Sequence, residues 1–147
     1  MQDARARDGL YAPGLAAFLD PARLVLACPT GPLAVLQAAE EALRSGAVVL
    51  VIAELAEAPD LTASRRLQLA AGTGGGRGLC LVPEARLCAN AAETRWRCAP
   101  VPCAAVPGDA CQAWEIVKNK RGRLGAWEVR WQAGLGFVEA GQMAETA

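Results

Sequence analysis

Five consecutive apolar residues, Val48 to Ile52 (VVLVI), four of them β-branched, form the strongest strand signal in the chain. A run that is apolar at every position leaves no face for water, so it predicts a strand covered on both sides, as strands of parallel sheets are. Ahead of it Thr30 offers an N-cap before Gly31-Pro32, and Leu33, Leu36, Ala39 and Leu43 follow at helical spacing until Ser45-Gly46. These four residues predict the buried stripe of a helix that feeds the strand. Beyond it, Asp60 or Thr62 caps a second helix to about Ala71, and Leu79 to Val82 reads as another strand. Leu24 to Cys28 (LVLAC), after a short helix over Tyr11 to Phe18 and a turn at Asp20-Pro21, reads as a further buried parallel strand. Strand, helix, strand, helix, strand is the rhythm of an α/β fold.

The texture changes at Thr94. Thr94 to Ala99 alternates, a proline-rich loop runs to about Gly108, and Ala113 to Lys118 and Trp127 to Trp131 flank the glycine-containing Arg121 to Gly125. This predicts a C-terminal antiparallel β-hairpin added to a mostly parallel sheet flanked by helices. At 147 residues and 53% hydrophobic the chain suits one core domain. That domain is placed at 9–133, between a disordered start at 1–8 and a flexible tail at 134–147.

Several function classes fall away. Histidine is absent, which removes the commonest general base and metal ligand. The six cysteines show neither disulfide-framework nor zinc-ligand spacing, so reduced thiols are expected, and no metal. No apolar run approaches a bilayer span and the start is polar, so the expected location is cytoplasmic, away from membranes. The run Gly72 to Gly78 resembles a phosphate loop only in composition. Such a loop follows a strand, opens a helix and ends in Lys-Ser or Lys-Thr, whereas this one ends a helix, opens a strand and contains no lysine. It is read as a flexible connection. No catalytic residue and no cofactor are expected.

What remains is charge and aromaticity. Glu54, at the carboxyl end of the VVLVI strand, stands where a Walker B acid would hold magnesium, but without a phosphate loop in the chain it is read first as an acid where the strand leaves the sheet for solvent. The net charge is zero, yet Arg86 to Trp131 carries eight basic against four acidic residues, and Gly31 to Thr62 one against five. The candidate contacts to phosphate, DNA or a partner are therefore Lys118, Lys120, Arg121 and Arg123 at the hairpin tip, with Arg95 and Arg97. Trp96, Trp114, Trp127 and Trp131 lie among these arginines in sequence. They could stack on single-stranded bases, or cover the sheet with arginine stems packed over them.

The segments LYAPGLAAFLDPARLVLACP, LQAAEEALRSGAVVLVIAE and WEIVKNKRGRLGAWEVRW resemble the RecA recombinase core. More closely, with DLTASRRLQLAA before a glycine-rich run and TRWRCAP before a proline-rich one, the chain resembles the ImuA family over roughly Gly9 to Trp131. The resemblance implies a RecA-like fold truncated at its N-terminus, without the phosphate-binding loop. Glu54 would stand at the Walker B position, and Lys118 and Lys120 would match lysines that reach a neighbouring subunit's triphosphate. It further implies a noncatalytic accessory protein of damage-inducible (SOS) error-prone translesion synthesis. Its partners would be an ImuB-type polymerase-like protein and a complex holding RecA or an error-prone DnaE-type polymerase, bound through the sheet edge or the basic hairpin. Weak DNA binding and oligomerisation fit the same picture. The alternatives are a DNA-binding module using the basic hairpin, and a trans-acting remnant of a RecA-type ATPase.

Overall fold

The computed structural model describes residues 10–16, 18–84, 88–102, 110–132 and 135–142. The elements in order are α1 (Ala12–Leu15), a 3-10 turn (Pro21–Arg23), α2 (Pro32–Ser45), β1 (Leu50–Glu54), α3 (Leu61–Gly74), β2 (Arg77–Leu81), β3 (Thr94–Val101), β4 (Cys111–Asn119), β5 (Gly125–Gln132) and β6 (Gly136–Gln142). Strands β1 and β2 form a parallel pair joined through α3, and β3-β4-β5-β6 form an antiparallel sheet in chain order. The chain is thus α/β, and the expected hairpin is β4–β5. The mostly parallel sheet is corrected: among the described residues two strands are parallel and four antiparallel.

The reason lies at Leu24 to Cys28. Leu24 is extended, but the run joins no ladder among the described residues, and Val25 and Leu26 are exposed. Apolar composition supplies the propensity for a strand; a neighbour's hydrogen bonds make one. Helix α2 runs as the spacing implied, except that its N-cap is Gly31 with no side-chain bond, followed by Pro32. Ala39 and Leu43 are buried and Leu36 half-buried, while Leu33, at the stripe's outer end, is exposed. The α/β core is Ala39, Ala53 and Leu55, with Val35, Leu36, Val51, Leu67, Cys80 and Val82 packed round it.

Helix α3 is capped by Asp60, whose carboxylate accepts from Ala63 N–H at 2.7 Å. Asp60→Ala should lower stability by about 1 kcal/mol in urea denaturation, since that donor loses its partner. The helix continues past Ala71 through Gly74, and Arg77 already belongs to β2. The glycine run is therefore helix end, cap and strand start, which corrects the flexible connection expected there. Gly75 is the C-cap at φ 73°, in the left-handed region that a residue with a Cβ avoids.

In the antiparallel sheet Trp114 stands opposite both Trp127 and Cys98, and Trp131 opposite Phe137. Residues 136–142, within the stretch read as a tail, supply the fourth strand. Cys28, Cys80, Cys88 and Cys98 are free thiols, as expected. Cys111 is disulfide-bonded, which corrects the expectation that all six stay reduced. Sequence spacing does not tell which sulfurs a strand end brings within bonding distance.

Candidate functional site

Four of the basic residues singled out in the sequence, Arg95, Lys118, Lys120 and Arg121, meet one short segment, 88–93, between β2 and β3. Arg95 Nη2 donates to Cys88 O at 2.7 Å, Lys118 Nζ to Asn90 O at 2.8 Å, and Lys120 Nζ to Ala91 O at 2.7 Å. Lys120 also pairs with Glu93 at 3.1 Å, and Arg121 Nε stands 3.6 Å from the same carboxylate. From the other side Ser64 Oγ, on α3, accepts from Ala91 N–H at 2.8 Å, and the Gln68 amide donates to Glu93. Segment 88–93 therefore ties α3 to the β4–β5 hairpin, and the lysines act as clamps.

Arg97 bridges Glu84 and Glu115, donating at 2.6 Å to each, and these carboxylates, Glu115 first, raise its pKa. All three side chains are well exposed to water, so the bridges add little stability. Arg121 extends to solvent, its side chain 89% exposed, and the hairpin tip is shaped by Asn119, whose amide donates to Arg123 O at 3.2 Å. Arg86 lies outside the described residues.

Glu54 is where the sequence put it, at the exposed carboxyl end of β1, opposite Leu81. Among the described residues it makes no ion pair, and none of the hairpin cations bonds to it. Nor do the described residues include a cluster of three or more His, Cys, Asp or Glu that could hold a metal ion. Beside Glu54, α2 and α3 cover only one face of the parallel pair. Val51 and Ala53 turn inward, whereas Leu50, Ile52, Leu79 and Leu81 are roughly half exposed.

The tryptophans occupy a surface of their own. Cross-strand pairing places Trp96, Trp114, Trp127, Trp131 and Phe137 on one face of the antiparallel sheet, and the paired Arg97 and Glu115 on the other. The rings pack on one another, Trp96 against Trp114 edge-on and against Trp127, both at 6.2 Å between centroids. Phe18 from the N-terminal segment lies 4.6 Å from Trp131. Alternation along β3 thus separates the aromatic from the basic residues that the sequence interleaves, so ring-on-ring packing replaces the arginine stems expected over them.

Glu93 and Glu40 enter the sequence reading only as part of the acidic count, and the fold gives each of them its cationic partners. The hydrogen bond from Lys120, reinforced by the charges of Lys120 and Arg121, holds the Glu93 carboxyl below the ordinary value of 4.5. Glu40, on α2, is held down by the hydrogen bond from Arg44 and then by Arg66 of α3, 2.7 Å away. A carboxyl whose pKa falls on folding stabilises the fold above its unfolded value, and that contribution is lost as pH drops through the folded one. The urea midpoint should fall as pH drops below about 4.5, and Glu40→Gln with Glu93→Gln should make that fall shallower.

The described chain is thus an α/β unit joined to an antiparallel sheet, with most of its singled-out cations spent on its own architecture and much apolar surface turned outward. No family model matches it. It is 38% identical over 142 residues to Protein ImuA of Caulobacter vibrioides strain NA1000 / CB15N, and equally so to Protein ImuA of strain ATCC 19089 / CIP 103742 / CB 15. Each match takes in 86% of this chain and 58% of the relative, so the chain spans somewhat more than half the length of the curated relatives it matches. Over that stretch the chain is homologous to Protein ImuA. No helix among the described residues is long and apolar enough to cross a membrane.

Proposed function

We propose that this chain is a noncatalytic accessory protein of damage-inducible, error-prone translesion synthesis. It acts by binding protein partners, an ImuB-type polymerase-like protein first among them, within a complex that holds RecA or an error-prone polymerase. Kinship with Protein ImuA supports the mutagenesis context. The observation that favours protein partners over nucleic acid is the balance of surfaces. Lys118, Lys120, Arg95 and Arg97 are engaged within the chain, while Leu50, Ile52, Leu79, Leu81 and the tryptophan face are open. Large exposed apolar area rimmed by polar groups is the mark of a protein-binding surface.

The test is co-purification of the full chain with the ImuB-type protein of the same organism. A stable complex is expected, and a well-folded chain that fails to bind would remove the reading. The DNA-binding alternative keeps Arg121 and Arg123 as its phosphate contacts. Two contacts would give a slope of only about −2 in a plot of log affinity against log salt concentration.

A further inference from the structure

On the outer face of the antiparallel sheet the rings of Trp96, Trp114 and Trp127 surround an open depression of about 210 Å³, lined also by Val129 and Glu139. Val129 is buried, Trp96 is 45% exposed, and the three strands that carry the tryptophans are hydrogen-bonded neighbours. The Trp127 ring is held from beneath: a Cβ at Gly125 would lie 2.7 Å from its Cη2, so the indole rests directly on the glycine backbone. The Trp114 indole N–H is occupied by Gln112 Oε1 at 2.8 Å, so that donor is already spent and the ring enters the lining as an aromatic surface. Glu139 is exposed and, among the described residues, has no cationic partner. Among the described residues no Lys or Arg lines the depression.

Three indole rings and a carboxylate without a cationic partner among the described residues suit a cation. An aromatic face attracts positive charge through its quadrupole, most strongly for tryptophan. A nucleotide base would also stack, but its phosphate would meet Glu139 with no compensating cation. A purely apolar side chain would strip water from that carboxylate without pairing it. The volume decides between a small molecule and a side chain, since drug-sized ligands occupy pockets of about 300–1,000 Å³ and this one is smaller. Between the two cationic side chains, the guanidinium is planar, weakly hydrated and able to stack while it pairs with a carboxylate, and the ammonium is not.

We propose that this depression binds an arginine side chain presented by a protein partner, its guanidinium stacked on the tryptophan rings and paired with Glu139. The inference rests on the proposed function only in assigning the arginine to a partner protein; the cage itself is tested without one. The probe is N-acetyl-arginine amide, titrated into the full chain while the indole N–H signals of the four tryptophans are followed by NMR. Its neutral isostere N-acetyl-citrulline amide and an oligothymidylate run in parallel.

The arginine derivative is expected to shift the Trp96, Trp114 and Trp127 signals saturably. The citrulline derivative should bind about fivefold more weakly, and Glu139→Gln should remove most of that difference. Trp96→Ala, on the edge strand, should weaken the arginine probe while the remaining indole signals keep their dispersion. Equal binding of both derivatives, indifference to Glu139→Gln, shifts confined to Trp131, or oligothymidylate acting on the same three indoles would each overturn the proposal. Failure of the probe leaves the co-purification result standing, and failure of co-purification leaves the probe result standing.

Discussion

Gly74→Ala should destabilise the chain by about 3 kcal/mol or more, the upper end of what overpacking costs, because the new atom meets backbone and not a side chain that can swing aside. A Cβ at position 74 would stand 1.9 Å from the carbonyl oxygen of Leu43 and 3.0 Å from Gly46 N. Leu43 is the most deeply buried large side chain, at 1% exposure, and sits where the last turn of α2 crosses the last turn of α3. Relief therefore requires the two helix ends to part, which uncovers Leu43 as well. Its neighbours give the control. Gly72 lies in the same helix with nothing within 4 Å of its would-be Cβ, so Gly72→Ala should stabilise by about 0.5–1 kcal/mol. At Gly75, with space but φ +73°, Ala should cost about 1–2 kcal/mol of left-handed strain. Urea denaturation followed by far-UV circular dichroism reads all three. A Gly74→Ala midpoint equal to that of Gly72→Ala would refute the close crossing.

That segment also shows where reading residues in order reaches its limit. Glycine density signals a break in a helix, and Gly75 does break it, but Gly74 is there because another helix passes over it, and that helix ends at Ser45, far upstream. Periodicity did carry α2, α3, β1 and the β4–β5 hairpin, since each declares its buried face within its own span. Leu24 to Cys28 has the same apolar texture and forms no ladder, because pairing depends on a partner outside the run. Strand β6, with glycines at 136 and 141, declares nothing by itself and becomes a strand beside β5. The candidate site divides in the same way. Positive charge at Lys118 and Lys120 was legible as chemistry, whereas the carbonyls of Asn90 and Ala91 that receive it lie 28 and 29 residues away. Ser64 and Ala91, which close the link to α3, are 27 apart.

The antiparallel sheet has no helix over its tryptophan face among the described contacts, so its stability depends on the rings themselves. Trp114 is their hub: it lies edge-on to Trp96, 5.1 Å from Phe137, and opposite Trp127. Removing it takes away the largest apolar contact of β4 and leaves Trp96, Trp127 and Phe137 facing a void. Trp114→Ala should cost about 3 kcal/mol, at the low end for a large aromatic because the face is partly wet. The way in which that loss is felt tests the link between the two halves of the chain. Segment 88–93 joins them through Ala91 to Ser64, Glu93 to Gln68, and the lysine clamps to Asn90 and Ala91. If these bonds couple the halves, Trp114→Ala lowers the urea midpoint equally by tryptophan fluorescence, which reports the sheet, and by hydrogen exchange at α2, which reports the other half. If only the fluorescence midpoint moves, the clamps are surface contacts that join two independently folding units.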